Sequence, residues 1–466
     1  MKKNKLLLVY TLFLSVIAVF SLLPIETKAA SATITTVAKN LTQTDSSTDS
    51  VTFSWSAATY SGSSITPVYY YKQIAKDASF TQIVETAGPQ SLVDTTVTYQ
   101  FDGLDPGTTY YVRVGSSMTY TSAYTSTATV LDEITTNQKW SDVLEVVTSP
   151  KDATITLKQT AATTTSISLS WDTVSGANGY RLCYWKYLGE SDSDAKEIIL
   201  TSNSKKLTGL KKNTKYSFRV YALRTSGTYT AEGSYGQLLG VGVRPTKMSG
   251  VDVVSFHQKA SKHNFKFEFD ERDSASIYKY EVYRYDGKKL ISGTTTSTSN
   301  RINSKTLSKS KNVNCFYYLR VRAGVKLSSG TYSWGSWSDA KYFSRLDGEN
   351  VKLKKSGSGM KVSWKKVKGA TGYIIYVGRS TKANAAVSYK KVATVSGNKT
   401  FSKTLSKKTM NSKKVPFTPG KYYYVRVVAV KKVNGKTYKS VINSKKSYCA
   451  MANYTYKNKF YAYTLY

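Results

Sequence analysis

Histidine and cysteine are the scarcest chemistry in this chain: two His and three Cys in 466 residues. That scarcity argues against metal sites, disulfide frameworks and most nucleophile–base catalysis. Cys183 and Cys315 fall in two different modules as parsed below and Cys449 just past the fourth, so none can form a bridge within its own module. Buried, neutral thiols are the expectation. Proline is also sparse, at 8, while aromatics make up 13%. Folded β modules therefore fit the composition better than disorder does. After the N-terminal stretch no second long apolar run occurs. A C-terminal Leu-Pro-x-Thr-Gly sorting signal is absent as well, which leaves non-covalent retention as the expected route to a surface.

The N-terminus reads as a signal peptide over residues 1–32. Lys2, Lys3 and Lys5 precede an apolar Leu6–Leu23, and Ala30-Ser-Ala32 matches a small-residue cleavage pattern. The expected mature protein is exported and extracellular, with no membrane insertion after cleavage. Its length fits three or four domains of roughly 100–150 residues.

Four stretches share one pattern: Tyr110-Tyr-Val-Arg113-Val114, Tyr216-Ser-Phe-Arg219-Val220, Tyr317-Tyr-Leu-Arg320-Val321 and Tyr423-Tyr-Val-Arg426-Val427. Tyr, the apolar residue and Val alternate, so in a strand they share one face and Arg takes the other. A core aromatic leads each module: Trp55, Trp171, Phe269 and Trp364, spaced by 116, 98 and 95 residues. Trp171-Asp-Thr-Val-Ser-Gly-Ala-Asn-Gly-Tyr180 aligns position for position with Trp364-Lys-Lys-Val-Lys-Gly-Ala-Thr-Gly-Tyr373. The third copy is degenerate, with Phe269, Ala275 and Tyr278 at the same spacings and no Leu-x-Pro before Tyr317.

The leading Trp, the Gly-Ala-x-Gly-Tyr turn and the Leu104-Asp-Pro-Gly-Thr-Thr-Tyr110 corner together resemble fibronectin type III domains, particularly those of secreted bacterial proteins. The resemblance covers about residues 33–446. It implies an all-β chain of four tandem immunoglobulin-like, seven-stranded sandwiches, with a role in display, spacing, adhesion or binding. It transfers no active site. The expected boundaries are 33–149, 150–245, 246–345 and 346–447, followed by an aromatic tail over 448–466. The corner itself resembles the tyrosine corner of such sandwiches, whose hydroxyl bonds to backbone a few residues upstream.

Other candidate sites have plainer readings. Glu190-Ser-Asp192-Ser-Asp194 has the alternate carboxylates that begin many calcium loops, but Ala195 and Thr201 stand where Gly and Glu belong. His257 and His263 lack ligand companions at metal spacing. Asp270, Glu271 and Asp273 would need a shared pocket to act as an enzyme site. Trp334-Gly-Ser-Trp337-Ser338 is close to the Trp-Ser-x-Trp-Ser box of cytokine receptors. Arg320 and Arg322 on the preceding strand are placed to interleave with the two Trp as cation–π pairs, and Trp334 and Trp337 are candidate aromatic contacts. No cofactor is expected.

Charge distribution is the most informative functional signal. Residues 33–149 carry 5 Lys+Arg against 11 Asp+Glu, 150–245 carry 13 against 7, 246–345 carry 18 against 8, and 346–466 carry 27 against 2. Of a formal charge of +38, +25 sits in the last quarter. Its lysines include Lys352, Lys354, Lys355, Lys365, Lys366, Lys368, Lys407, Lys408, Lys413, Lys414, Lys431, Lys432, Lys445 and Lys446. An ordinary solvated surface mixes both signs, so this one is expected to attract polyanions. Anionic cell-wall polymer, acidic polysaccharide and extracellular nucleic acid are the partner classes. Lys suits point-charge attraction to flexible chains better than forked recognition. The expected protein is a non-enzymatic, exported binding or spacer protein, with a carbohydrate-binding or host-adhesion protein as the alternative.

Overall fold

The computed structural model describes residues 32–62, 67–92, 96–120, 127–259, 262–346, 350–455 and 460–463. Residues 1–31, nearly all of the expected signal peptide, and the tyrosines Tyr124, Tyr456 and Tyr466 lie outside the described residues. The fold is all-β, built as four immunoglobulin-like sandwiches, each pairing a three-stranded sheet with a larger one.

In the first module Lys39–Ser46, Val51–Ser56 and Thr96–Phe101 form the small sheet. Ile83–Leu92, Val68–Ala75, Thr109–Ser117 and Leu144–Val147 form the larger one. In Val51–Ser56 the burial alternates, so Val51, Phe53 and Trp55 enter the core and the hydroxyl residues between them face out. The stretch before Trp140 holds a helix, Thr127–Thr136, that its Ser/Thr content hid. Val130 and Ile134, one turn apart, bury against Tyr71 on the outer face of the larger sheet.

The second module has the expected seven strands, three (Lys158–Ala162, Ile167–Ser170, Ser204–Leu207) facing four (Lys196–Leu200, Gly179–Lys186, Lys215–Ser226, Tyr229–Gly242). The first departs from seven by an added antiparallel pair, Thr33–Thr36 with Thr59–Ser61, and the third and fourth depart because their closing strands are broken. Tyr332–Trp334 and Lys341–Phe343 both pair with Tyr317–Lys326. In the fourth, Lys436–Lys439 and Ala450–Tyr454 both pair with Lys421–Val433, and Phe460–Tyr463 adds one more strand. The aromatic tail thus extends the last sheet, and Tyr454 is buried against Phe417.

A serine stands where the last strand is interrupted in three modules, in the first between the Gly115–Trp140 bridge and Leu144–Val147. Ser141 Oγ accepts the Val114 N–H, Ser338 Oγ accepts the Val321 N–H, and Ser440 Oγ accepts the Ala429 N–H. In each case the side chain substitutes for a ladder bond where the last strand bulges.

Trp55, Trp171, Phe269 and Trp364 lie in four separate cores. Each is followed three residues later by an N–H that a core tyrosine hydroxyl accepts. The pairs are Ala58 to Tyr70, Val174 to Tyr180, Arg272 to Tyr278 and Val367 to Tyr373. The bond pins the turn beneath the ring, so one tyrosine fills the core and satisfies a loop amide. The tyrosine corner forms in three modules. Tyr110, Tyr216 and Tyr423 accept the N–H of Asp105, Lys211 and Thr418 at 2.9, 2.9 and 2.6 Å. Tyr317, which lacks the upstream motif, takes a side-chain donor instead, Gln258 Nε2. All three cysteines are free and buried.

Candidate functional site: the lysine surface of the fourth module

From Asn350 to the C-terminus the sequence contains no Asp or Glu. The sheets decide where its lysines point. In Lys352–Ser356, Leu353 is buried and Lys352 and Lys354 face outward. Register then sets Lys354 directly opposite Lys361 on the next strand. Like charges so placed destabilise a sheet pair, and the sequence from Asn350 onward offers no carboxylate to relieve them.

The turn between the core strands carries Lys365, Lys366 and Lys368. Val367 drops into the core, and Lys368 docks by backbone on the third module: its carbonyl accepts the Phe316 N–H and its own N–H reaches Asn314 O, each at 2.9 Å. Lys431 and Lys432 lie at this same end, on the strand Lys421–Val433 where it enters its hairpin. At the opposite end a short helix, Lys407–Ser412, begins at Ser406, whose Oγ accepts the Thr409 N–H. Met410 anchors it in the core, leaving Lys407, Lys408, Lys413 and Lys414 exposed. The strand Gly372–Ser380 runs between the two ends; nine extended residues span about 30 Å. Lys445 and Lys446 ride on a separate loop of the closing strand.

Thirteen of the fourteen lysines singled out from sequence are exposed, and Lys431 is half-buried, its Nζ 5.8 Å from the Tyr342 ring centre. They are spread over both ends, a sheet face and an edge, and do not converge on one point. Among the described residues, the ion pair made by a lysine of this module is Lys436 Nζ to Asp339 Oδ2, at 3.8 Å. A dispersed surface of this kind suits a polymer that contacts many lysines at once; it offers no cage for a single small anion.

The arginines of the repeated Tyr-x-apolar-Arg-Val motif each stack on an aromatic ring. Arg113 lies 4.1 Å from both Phe80 and Trp140, Arg219 lies 5.1 Å from Tyr235, and Arg320 lies 4.9 Å from Trp337. Arg426, expected to face outward, is buried: it lies over Tyr389 at 3.5 Å and donates to the carbonyls of Ser444, Lys445 and Ser447. The sequence from Asn350 onward holds no carboxylate, and carbonyl oxygens serve as its acceptors. Sequence reasoning missed a pairing that was visible as Trp140-Ser-Asp142 and Trp337-Ser-Asp339. In both, Trp stacks on the arginine and Ser closes the bulge.

In the third module the stack is continuous. Trp334, Arg322, Trp337, Arg320 and Tyr283 follow one another at 4.7, 4.6, 4.9 and 4.8 Å. Tyr318, Tyr342 and Tyr438 continue from Tyr283 at 4.8, 5.3 and 5.2 Å. The Trp334 and Trp337 faces are turned onto guanidinium groups, so these rings do not form a coplanar platform.

The remaining candidates are locally satisfied. Glu190 pairs with Lys186, Asp192 with Arg219, and Asp194 accepts the Ser191 N–H, so the three carboxylates do not converge. Glu271 and Asp273 line a cleft of about 420 Å³ together with Lys186, Lys211 and Lys215. Asp270 is turned away to the Ser249 hydroxyl. Among the described residues, no three His, Cys, Asp or Glu side chains are grouped to hold a metal ion. No described helix is long and apolar enough to cross a membrane.

Residues 36–130 and 149–234 match the fibronectin type III domain family. No curated protein matches the chain. Among solved structures, the FN1–FN3 domains of chicken CNTN1 align over 66% of this chain and 97% of theirs, at 14% identity and a TM-score of 0.25. Two successive regions of the chain thus match the fibronectin type III domain, and all four of its modules are immunoglobulin-like sandwiches.

Proposed function

We propose that this is an exported, non-enzymatic spacer and binding protein whose fourth module holds an anionic cell-wall or extracellular polymer. The observation that carries the reading is the complete lack of carboxylates from Asn350 onward beside 27 Lys and Arg. A sandwich needs no such surface to fold, and the opposed pair Lys354 and Lys361 works against it. The first module, with 11 acids against 5 bases over residues 33–149, has the opposite sign and is repelled by the same polymer.

The test is co-sedimentation of the mature chain with purified cell walls, before and after their anionic polymers are stripped. Retention that disappears on stripping supports the reading; equal retention on stripped walls refutes it.

A further inference from the structure

The hairpin formed by Lys421–Val433 and Lys436–Lys439 leans across the third module and divides two adjoining clefts. One, of about 530 Å³, is lined by Lys247, Ser249, Ser338, Asp339, Lys436 and Tyr438 among others. The other, of about 540 Å³, is lined by Asp252, Lys341, Tyr342, Tyr438 and Lys439. Tyr438 and Lys341 border both.

The walls of these clefts are fixed. Val441 N–H donates to Ser344 O at 2.8 Å, and Phe316 N–H donates to Lys368 O at 2.9 Å. Asn443 exchanges two bonds with the Phe256 backbone, accepting its N–H at 2.9 Å and donating to its carbonyl at 3.0 Å. A site held this way is organised before a ligand arrives.

Beside apolar and hydroxyl residues such as Met248, Val253 and Thr437, the clefts carry three kinds of side chain suited to a ligand. Four lysines, Lys247, Lys341, Lys436 and Lys439, outnumber two carboxylates. Asp339 is held by Lys247 at 2.7 Å and Asp252 by Lys341 at 2.9 Å, while Lys436 stands 3.8 Å from Asp339 with its side chain 67% exposed. Tyr438 and Tyr342 supply half-buried rings, tilted 59° to each other and therefore not stacked face to face. Cations, hydrogen-bond acceptors and aromatic rings within one groove suit a ligand with an acid group, hydroxyls and a sugar-ring face. A bare phosphate chain would use the lysines alone.

We infer that the groove on either side of Tyr438 is a binding site for an acidic sugar unit, so that the polymer held by this protein is an acidic polysaccharide. Lys436 in one cleft and Lys439 in the other each meet an acid group, Tyr438 packs on the ring between them, and Asp339 and Asp252 accept from hydroxyls on their own sides. This rests on the reading of the fourth module as a polyanion anchor and narrows it to one polymer class.

The experiment titrates the full mature chain with three probes: a hyaluronan tetrasaccharide, the neutral chitotetraose, and a short inorganic polyphosphate. Tyr438→Ala and the exposed-site variant Lys436→Ser should each weaken the hyaluronan probe at least tenfold and leave polyphosphate binding within twofold. A third variant replaces Lys407, Lys408, Lys413 and Lys414 with Ser at the opposite end. It should reduce polyphosphate binding and spare the tetrasaccharide. The inference is overturned if chitotetraose binds as tightly as hyaluronan, or if Tyr438→Ala and Lys436→Ser both bind hyaluronan like the parent chain. If those two variants are silent while the four-lysine variant loses polyphosphate, the polyanion reading stands without the groove. If the groove variants act and the four-lysine variant does not, the groove stands and the broader reading falls.

Discussion

The Arg426 guanidinium lies 3.5 Å from the centre of the Tyr389 ring and donates to three carbonyls of the loop that presents Lys445 and Lys446. One buried cation therefore shapes a segment of the basic surface. Lysine cannot reproduce that fork. Arg426→Lys should destabilise the fourth module by about 1–3 kcal/mol, because the buried side chain loses its charged hydrogen bonds to the loop carbonyls. Denaturant unfolding followed by near-UV circular dichroism of the tyrosines would check it; an unchanged midpoint would count against the arrangement.

The stack from Trp334 to Tyr283 has a structural role of its own. Trp337 touches two guanidinium groups, at 4.9 and 4.6 Å. Trp337→Ala should cost the third module about 1–3 kcal/mol, from two cation–π contacts and the lost burial. Wall binding should stay unchanged. A loss of binding with full stability would instead make Trp337 a ligand contact.

Glu281 gives the third module an acid limit. Burial alone would raise its carboxyl, but hydrogen bonds from Lys289, Tyr283 and Arg320 outweigh that and hold it down at about 2, against an ordinary 4.5. A depressed carboxyl contributes stability above its unfolded pKa and loses it as pH falls through the folded one. The melting temperature of the third module should thus fall as pH drops from about 4.5 to about 2. In Glu281→Gln that part of the pH dependence should vanish.

Lys72 gives the first module a slope of the same sign at alkaline pH. Its side chain is 1% exposed, with Gln90 Oε1 at 3.2 Å and the Tyr99 ring below it. Burial pulls its ammonium from 10.5 down to about 8, partly opposed by Glu85. Between those values the unfolded amine keeps a proton that the folded one has released, so stability rises with pH across that window. Lys72→Met should remove this slope and add about 1–3 kcal/mol at pH 7. Calorimetry of parent and variant between pH 7 and 9.5 decides it.

The four cores were legible because a period-two pattern and a spaced Trp or Phe are local signals, and burial leaves little choice of face. Phe269 shows this most clearly, since the third copy lacks the leading Trp, the two turn glycines and the Leu-x-Pro corner but keeps their spacing. What stayed hidden depends on contacts distant in sequence. The helix Thr127–Thr136 shows only Val130 and Ile134 as a stripe, and its propensities are poor until Tyr71 is there to pack against. The broken closing strands turn on single serines, which sequence alone does not distinguish from solvent-facing ones. The lysines could be listed from sequence, but their division between two ends of a sandwich required the register. The groove beside Tyr438 needed two modules to exist at all.

The central claim is that the fourth module holds a polyanion through many exposed lysines. It is tested most directly by measuring the affinity of the mature chain for purified cell-wall polymer between 50 and 500 mM salt. The parent chain should lose affinity linearly in log K against log salt. The variant with Lys407, Lys408, Lys413 and Lys414 replaced by Ser should show both lower affinity and a shallower slope. A flat salt dependence, or a four-lysine variant that binds with the parent's slope, would contradict the account.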